Sequence, residues 1–164
     1  MSEAHPNAAL LDRFYSAFAR RDAATMASCY APDARFSDPV FDLAGDEVGA
    51  MWSMLCERGR DLRVEWRDVR ADDAAGAAHW EARYTFSGTG RPVHNIIDAE
   101  FAFSAGRIAR HVDSFDLWRW SRMALGAKGA LLGWAPSVRK AIQRQARRGL
   151  DAWIGSHPRA TAAR

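Results

Sequence analysis

Residues 78–103 read AHWEARYTFSGTGRPVHNIIDAEFAF. The first part of this stretch alternates apolar with polar side chains, a period of two that is typical of a half-buried strand. A turn-forming cluster, SGTGRP at 87–92, follows, and residues 93–103 return as a second strand. The stretch therefore predicts two long antiparallel strands. The apolar positions of the first strand are Ala78, Trp80, Ala82, Tyr84 and Phe86.

The second strand does not alternate as cleanly as the first. Two of its positions, Asp98 and Glu100, bring carboxylates onto one face, and carboxylates are unusual on a surface that packs into a core. We expect that face to line a ligand pocket that contains a few polar groups. The opposite face of the strand is expected to be covered as well. The pocket face holds His94, Ile96, Asp98, Glu100 and Ala102, and the other holds Ile97, Ala99, Phe101 and Phe103.

The segments on either side extend the sheet. Residues 62–68 alternate in the same way, and residues 107–116 return after the turn at Ala105-Gly106. Strands joined by short glycine-containing turns make an antiparallel meander.

Three helices precede this sheet. Residues 8–20 and 47–56 carry apolar side chains at the i, i+3, i+4 spacing of amphipathic helices. Between them, Asp22 has the chemistry of a helix N-cap, and a short helix is predicted from Ala23 to Tyr30, ending before Pro32. Helices first and sheet second predict an α+β domain.

The length and composition of the chain restrict the class of protein. A chain of 164 residues with 48% apolar residues fits one core. No apolar stretch approaches the roughly 20 residues of a membrane span, and the N-terminus lacks the pattern of a secretory signal, so a cytoplasmic protein is expected. Cys29 and Cys56 match no metal or redox spacing and are expected to be buried, reduced thiols.

Charge separates the two ends of the chain. Residues 1–106 hold 11 Lys and Arg against 17 Asp and Glu, whereas residues 107–164 hold 12 against 3. We expect a domain at 1–120 and a basic helical extension at 121–164, with helices at 117–125 and from Ser137 to Ile154. The last helix is cationic and amphipathic, and it could be a lid or dimer-packing element or could contact anionic lipid. The chain shows no groove-reading motif, so specific nucleic-acid binding is not expected.

Two short motifs carry a family resemblance. The run Tyr30-Ala31-Pro32-Asp33-Ala34-Arg35-Phe36-Ser37-Asp38-Pro39 resembles a stretch of ketosteroid isomerases and SnoaL-like polyketide cyclases. Asn95-Ile96-Ile97-Asp98 is similar to the isomerase strand that bears a second functional aspartate. The resemblance covers about residues 8–120 and implies the nuclear transport factor 2-like fold, a cone-shaped, cystatin-like curved antiparallel sheet backed by helices.

The same resemblance implies an activity. Asp38 matches the base that moves a proton beside a carbonyl in ketosteroid isomerase, and Asp98 matches the acid that stabilises the enolate. Neither cofactor nor metal is implied, the ligand is a small hydrophobic molecule, and a homodimer through the back of the sheet is expected. The tyrosine of the isomerase oxyanion hole is replaced by Phe14. The other expected pocket residues are Phe14, Phe18, Trp52, Trp66, Trp80, Tyr84, Ile96, Glu100, His111, Asp113 and Phe115.

Alternative functions stay open at this point. The same pocket fits a non-catalytic protein that binds hydrophobic ligands. The segment from Arg110 to Leu117 is similar to limonene epoxide hydrolase, in which Asp113 would match one of the aspartates that activate water, although two other positions of that site fall on Trp80 and Ala82.

Both proposed catalytic aspartates also have structural interpretations. An Asp before a Pro, as at Asp38, commonly opens a turn. Asp98 could be a buried carboxylic acid paired with His94, His111 or Tyr84.

Overall fold

Six strands form one curved, unclosed sheet in the computed structural model, which describes residues 4–158. The order across the sheet is β2-β1-β6-β5-β4-β3. The α+β prediction is confirmed, and so is the antiparallel meander of the last four strands. The strands are β1 (Tyr30–Ser37), β2 (Asp42–Ala44), β3 (Arg63–Ala71), β4 (Ala75–Phe86), β5 (Arg91–Ser104) and β6 (Arg107–Ser114).

Six helices accompany the sheet within the described part of the chain. Three of them precede β3 and three follow β6, the last being the longest. They are α1 (Pro6–Ala19), α2 (Ala23–Ser28), α3 (Asp46–Arg58), α4 (Leu117–Leu125), α5 (Ala127–Leu132) and α6 (Pro136–Ser156).

Strands β1 and β2 were not predicted. The expectation of a helix as far as Tyr30 was wrong, because α2 ends at Ser28 and the chain then enters β1, which runs parallel to β6. Pro32 lies where the register between β1 and β6 shifts, and such an irregularity tolerates a residue that has no N–H to donate. The sheet is therefore mixed, and β1 brings the chain to Asp38 at its end.

The phase of β5 decides which side chains face the helices. Val93, Asn95, Ile97, Ala99 and Phe101 are buried, and the last three belong to the core that α1 and α3 cover. The intervening residues point to the outer face of the sheet, because successive side chains of a strand alternate. The expectation that the face of Asp98 lines the pocket was therefore wrong.

Helix α4 covers a strand edge. Strand β6 is shorter than β5 and pairs only with residues 98–104, which leaves the edge of residues 91–97 without a strand partner. Arg119 Nη1 donates to the carbonyl of His94 at 2.7 Å, and the His94 N–H points to the sulfur of Met123 at 3.5 Å. Side chains of α4 thus bind the backbone groups that a seventh strand would otherwise use.

Helix α6 returns to the domain and packs on α3. Leu150 is fully buried, and Trp153 donates a hydrogen bond from its indole to Glu57 at 3.0 Å. Arg147 forms a two-pronged ion pair with Glu47, at 2.6 and 3.1 Å. The expected boundary at residue 120 falls inside α4, and α5 lies between the two helices that were expected at 117–125 and from Ser137 to Ile154.

Within residues 4–158, no helix is both long and apolar enough to cross a bilayer. Cys29 and Cys56 are both buried free thiols. The same residues contain no group of three or more His, Cys, Asp and Glu side chains that could hold a metal ion.

Candidate functional site

A chain of hydrogen bonds runs through the middle of the core. The Trp52 indole donates to the Tyr30 hydroxyl at 2.9 Å, and this hydroxyl lies 2.7 Å from Nδ1 of His111. Nε2 of His111 is 2.8 Å from the carboxylate of Asp113, which also accepts from the Trp80 indole at 3.3 Å. One tautomer satisfies every contact, with Nδ1 accepting from Tyr30 and Nε2 donating to Asp113.

Aromatic rings enclose this polar chain. The imidazole of His111 has ring centroids of Phe101, Phe36 and Phe14 at 4.3, 5.0 and 5.8 Å. Its side chain is 0% exposed and that of Asp113 is 2% exposed. The structure thus brings His111 and Asp113 together as a buried pair. The expected pocket residues Phe14, Phe18, Trp52 and Trp80 fill the concave side as packed core.

One hydroxyl in this core has no partner among the described residues. Tyr15 is fully buried beside Phe14, and its hydroxyl oxygen makes no hydrogen bond. Burial raises the pKa of Tyr15 well above its usual value, and the negative charge of Asp113 raises it further.

Asp38 lies where β1 ends and the chain turns towards β2. One oxygen, Oδ1, accepts from the backbone N–H groups of Val40 and Phe41 at 2.7 and 2.6 Å. Asp38 therefore does open a turn, as its structural interpretation expected. Burial nevertheless raises the pKa of Asp38 to about 7, against the lowering effect of these two hydrogen bonds. The carboxyl group is thus held in place and poised near neutrality.

Asp38 lines an open cleft of about 530 Å³. One wall is the connection between β1 and β2, and the other is the first half of α6. Gln143 joins the two walls by donating to the carbonyl of Pro39 at 3.0 Å. The cleft is lined by Asp38, Val40, Phe41, Asp42, Leu43, Lys140, Gln143, Arg144 and Arg147.

Asp98 is not part of this cleft. Its side chain is 80% exposed on the outer face of the sheet, and it lies 2.9 Å from Nδ1 of His79. Asp98 does have a histidine partner, but the partner is none of the three groups expected. Ile96 and Glu100 are exposed on the same outer face. Three predicted site residues therefore lie on the side of the sheet away from Asp38.

Two further predicted residues, Tyr84 and Phe115, lie in the last turn-proximal part of β4 and directly after β6. The Tyr84 hydroxyl accepts from the Trp120 indole at 2.8 Å. Burial raises the pKa of Tyr84, the Trp120 hydrogen bond lowers it, and the charge of Asp38 raises it again. Phe115 is partly buried against the core.

Trp66 lies at the rim between β3 and α1, away from the cleft. Its indole donates to Asp12 at 3.0 Å, and its ring stacks on Tyr15. The cleft residues of α6 were not predicted as a site. The cationic character of that helix was visible in the sequence, but more than 100 positions of chain separate Gln143 from Pro39.

Known structures share this architecture. A nuclear transport factor 2-like protein of unknown function from Burkholderia pseudomallei has a TM-score of 0.64 at 23% identity, covering 76% of this chain and 98% of that one. A proposed polyketide cyclase from Xanthomonas campestris has a TM-score of 0.59 at 22% identity, covering 73% and 96%. An LEH-like epoxide hydrolase from M. tuberculosis has a TM-score of 0.61 at 19% identity, covering 80% and 98%. At these identities the likeness shows the fold alone.

Sequence comparison identifies the family. No curated protein matches the chain. The sequence profile of the SnoaL-like domain matches residues 11–111, which include most of α1, all of α2 and α3, and the first five strands. The match spans more than half of the chain and agrees with the helix order, the curved sheet and the structural relatives. The chain therefore belongs to the SnoaL-like family, and it has the nuclear transport factor 2-like fold of its structural relatives.

Proposed function

We propose that the protein is a cofactor-independent enzyme that transfers a proton on a small carbonyl compound, with Asp38 as the base. One observation carries this proposal: a carboxyl group with a pKa of about 7 lines an open cleft of about 530 Å³. Backbone N–H groups fix Oδ1, whereas Oδ2 makes no hydrogen bond that the described residues supply. The second oxygen is free to face a substrate.

The reaction uses ordinary acid–base chemistry. Asp38 takes a proton from the carbon beside a carbonyl, the electrons of the broken C–H bond move to the carbonyl oxygen as an enolate, and Asp38 returns the proton to the same or a conjugated carbon. A base is most efficient when its pKa is near the working pH.

The proposal does not retain the second residue that was expected. Asp98 was expected as the acid, but its exposed position beside His79 separates it from Asp38.

Exchange of acidic C–H protons into deuterated buffer tests the proposal. A panel of cyclic enones and β-keto esters would be followed by NMR with wild type, Asp38→Asn and the matched control Asp98→Asn. We expect exchange above buffer with wild type and with the control, and a loss of about 10²-fold or more with Asp38→Asn. Equal exchange by both variants, or none by wild type on any compound, would contradict the proposal.

A second candidate is a non-catalytic protein that binds hydrophobic ligands. It is favoured by the apolar side chains of Val40, Phe41 and Leu43 in the cleft and by Phe14, which is fully buried and offers no hydrogen bond where the isomerase has a tyrosine. The exchange experiment separates the two, since such a protein would bind members of the panel without exchanging their protons.

Epoxide hydrolysis, with Asp113 activating the attacking water, is the third candidate function. An attacking water would have to reach a carboxylate that is 2% exposed and that already accepts from Trp80 and contacts His111. The resemblance in fold to the M. tuberculosis hydrolase does not change this local geometry.

The C-terminal extension is proposed to contact anionic lipid. Leu131, Leu132 and Trp134 are 72%, 52% and 71% exposed and lie together after α4. Residues 117–150 contain eight Lys and Arg and no Asp or Glu. Apolar side chains that enter the headgroup region and cations that attract anionic lipid are the two components of interfacial binding.

Vesicle pelleting of the full chain tests this contact. Phosphatidylcholine vesicles with and without phosphatidylglycerol would be compared for wild type and the double variant Leu131→Ser/Trp134→Ser. We expect the wild type to pellet with the anionic vesicles alone and the variant to stay in the supernatant. Equal pelleting of both proteins would refute the contact.

A homodimer through the outer face of the sheet is also proposed, as the family resemblance implies. Ile96 is 39% exposed at this face. Light scattering after gel filtration should give twice the chain mass for wild type and the chain mass for Ile96→Glu. A monomeric wild type at micromolar concentration would exclude it.

A further inference from the structure

The Asp38 cleft carries more positive than negative charge. Its lining includes three cationic side chains on α6, at positions 140, 144 and 147, which lie on one side of the helix because residues three and four apart are neighbours. The opposite wall contributes the carboxyl groups of Asp38 and Asp42. Which of these charges a ligand would meet depends on the partners that each already has.

Two of the charged side chains of the cleft, Arg147 and Asp42, already have partners of opposite charge. Arg147 contacts Glu47 at 2.6 Å and Asp151 at 3.0 Å, so its guanidinium has two carboxylate partners. Asp42 lies 3.6 Å from Arg35. These pairs hold the walls of the cleft and leave little charge for a ligand.

Lys140 and Arg144 are different. Both are exposed, and neither has a carboxylate within 4.0 Å in the part of the chain that the structure describes. The unpaired charges of the cleft are therefore two cations on one wall and Asp38, with its raised pKa, on the other. An Arg fork binds a carboxylate through two parallel hydrogen bonds, and a neighbouring Lys adds a third donor.

Apart from Gln143, the uncharged part of the lining is apolar. Val40, Phe41 and Leu43 line the same cleft as Asp38 and the cations, and the cleft volume is within the range of small-molecule sites. A ligand that fits has an apolar body and an anionic group at one end. A neutral, steroid-like molecule would leave the two cations without a partner.

We infer that the substrate is a carbonyl compound carrying its own carboxylate, which Lys140 and Arg144 bind while its apolar part contacts Phe41 and its acidic C–H faces Asp38. This inference rests on the proposed function and names its substrate class. It replaces the expected purely hydrophobic ligand by an amphiphilic acid.

Binding of a matched pair of probes tests the inference. Titration calorimetry would compare 4-phenyl-2-oxobutanoate with its methyl ester, which keeps the body and the ketone but lacks the charge. We expect the acid to bind about tenfold more tightly than the ester. The double variant Lys140→Gln/Arg144→Gln should remove that advantage, so that the acid and the ester bind about equally.

A second double variant, Arg139→Gln/Arg148→Gln, is the matched control. It makes the same change of charge on the same helix but at positions outside the cleft lining. Retained preference for the acid in this control supports a local site. Equal loss in both double variants, or equal binding of acid and ester by wild type, would overturn the inference.

The same probes separate this inference from the proposed function. Exchange at C3 of the acid would be measured with wild type and Asp38→Asn. Selective binding of the acid with no exchange by wild type means that the cleft binds carboxylates but that the enzymatic proposal fails. If instead neutral compounds exchange in a manner that depends on Asp38, and the acid binds no more tightly than the ester, the enzymatic proposal holds and the inferred carboxylate site fails.

Discussion

The Tyr30 hydroxyl lies 2.7 Å from Nδ1 of His111 and at the same time accepts from Trp52 at 2.9 Å. Tyr30→Phe would leave the indole N–H and the imidazole nitrogen without a partner in a buried site. Each buried polar group left without a hydrogen bond lowers the free energy of unfolding by about 1–3 kcal/mol. We expect the free energy of unfolding to fall by about 2–4 kcal/mol, measured by urea denaturation.

Tyr15→Phe is the matched comparison, because it removes the same hydroxyl from a residue of the same core. The Tyr15 hydroxyl makes no hydrogen bond within residues 4–158. Its removal should therefore change stability by less than about 1 kcal/mol, or increase it. A cost equal to that of Tyr30→Phe would show that Tyr15 has a partner, such as a buried water, that the polypeptide does not provide.

Asp38→Asn should stabilise the protein in a pH-dependent manner. The folded-state pKa is raised from 3.8 to about 7, so the folded protein holds a proton that the unfolded chain releases between these values. Stability is therefore lost as the pH rises through this window, and it is fully retained below it. Asn keeps the acceptor oxygen without the charge. The free energy of unfolding should therefore be close to that of wild type at pH 4 and exceed it at pH 8 by about 2–4 kcal/mol.

Urea denaturation of both proteins across this pH range measures the effect. A difference between Asp38→Asn and wild type that does not change with pH would contradict the raised pKa.

Gly129 lets α5 pack on α4. A Cβ atom at this position would overlap the backbone oxygen of Ser121. Gly129→Ala should therefore separate the two helices and lower the melting temperature by several degrees, which corresponds to about 1–3 kcal/mol. Gly155→Ala in α6 is the control, because a Cβ there has no atom within 4 Å. Equal melting temperatures for the two variants would rule out the close approach.

Leu150 connects α6 to the core. Its side chain is fully buried among its neighbours, and a Leu→Ala change at such a site costs about 2–5 kcal/mol. With Leu150→Ala we expect faster amide hydrogen exchange in residues 136–156 than in β4 and β5, followed by mass spectrometry. Arg147→Ala, which removes a partly exposed ion pair, should change α6 much less. Uniform acceleration over the whole chain would show that α6 does not open separately.

The parts of the fold that repeat a simple period could be predicted from the sequence. The strands from Arg63 to Ser114 and the helices α1 and α3 follow alternation or helical spacing over ten residues or so, and they were located to within a few positions. Strand β1 was not predicted because Pro32 and the charged residues around it are unfavourable in strands. Few of its side chains face the core, so the alternating pattern is weak. Its pairing with β6 is parallel and non-local, which no local pattern reveals.

The phase of β5 could not be read from residue types alone. Both faces carry apolar side chains, and the aspartate that resembles the isomerase acid belongs to the outer face. The cleft was hidden for another reason, since Asp38 and Arg144 are brought together by the return of α6 across the domain. Only tertiary structure combines them.

The contact of α4 with the open edge of β5 covers backbone groups that could otherwise pair with a strand of another copy. Backbone groups of His94 on this edge are bound by the Arg119 side chain and by Met123, not by another strand. A chain cut at residue 116 would present that edge to any other copy, and exposed edges recruit strands from neighbouring molecules. We therefore expect a chain cut at residue 116 to associate through this strand edge more readily than the full chain does.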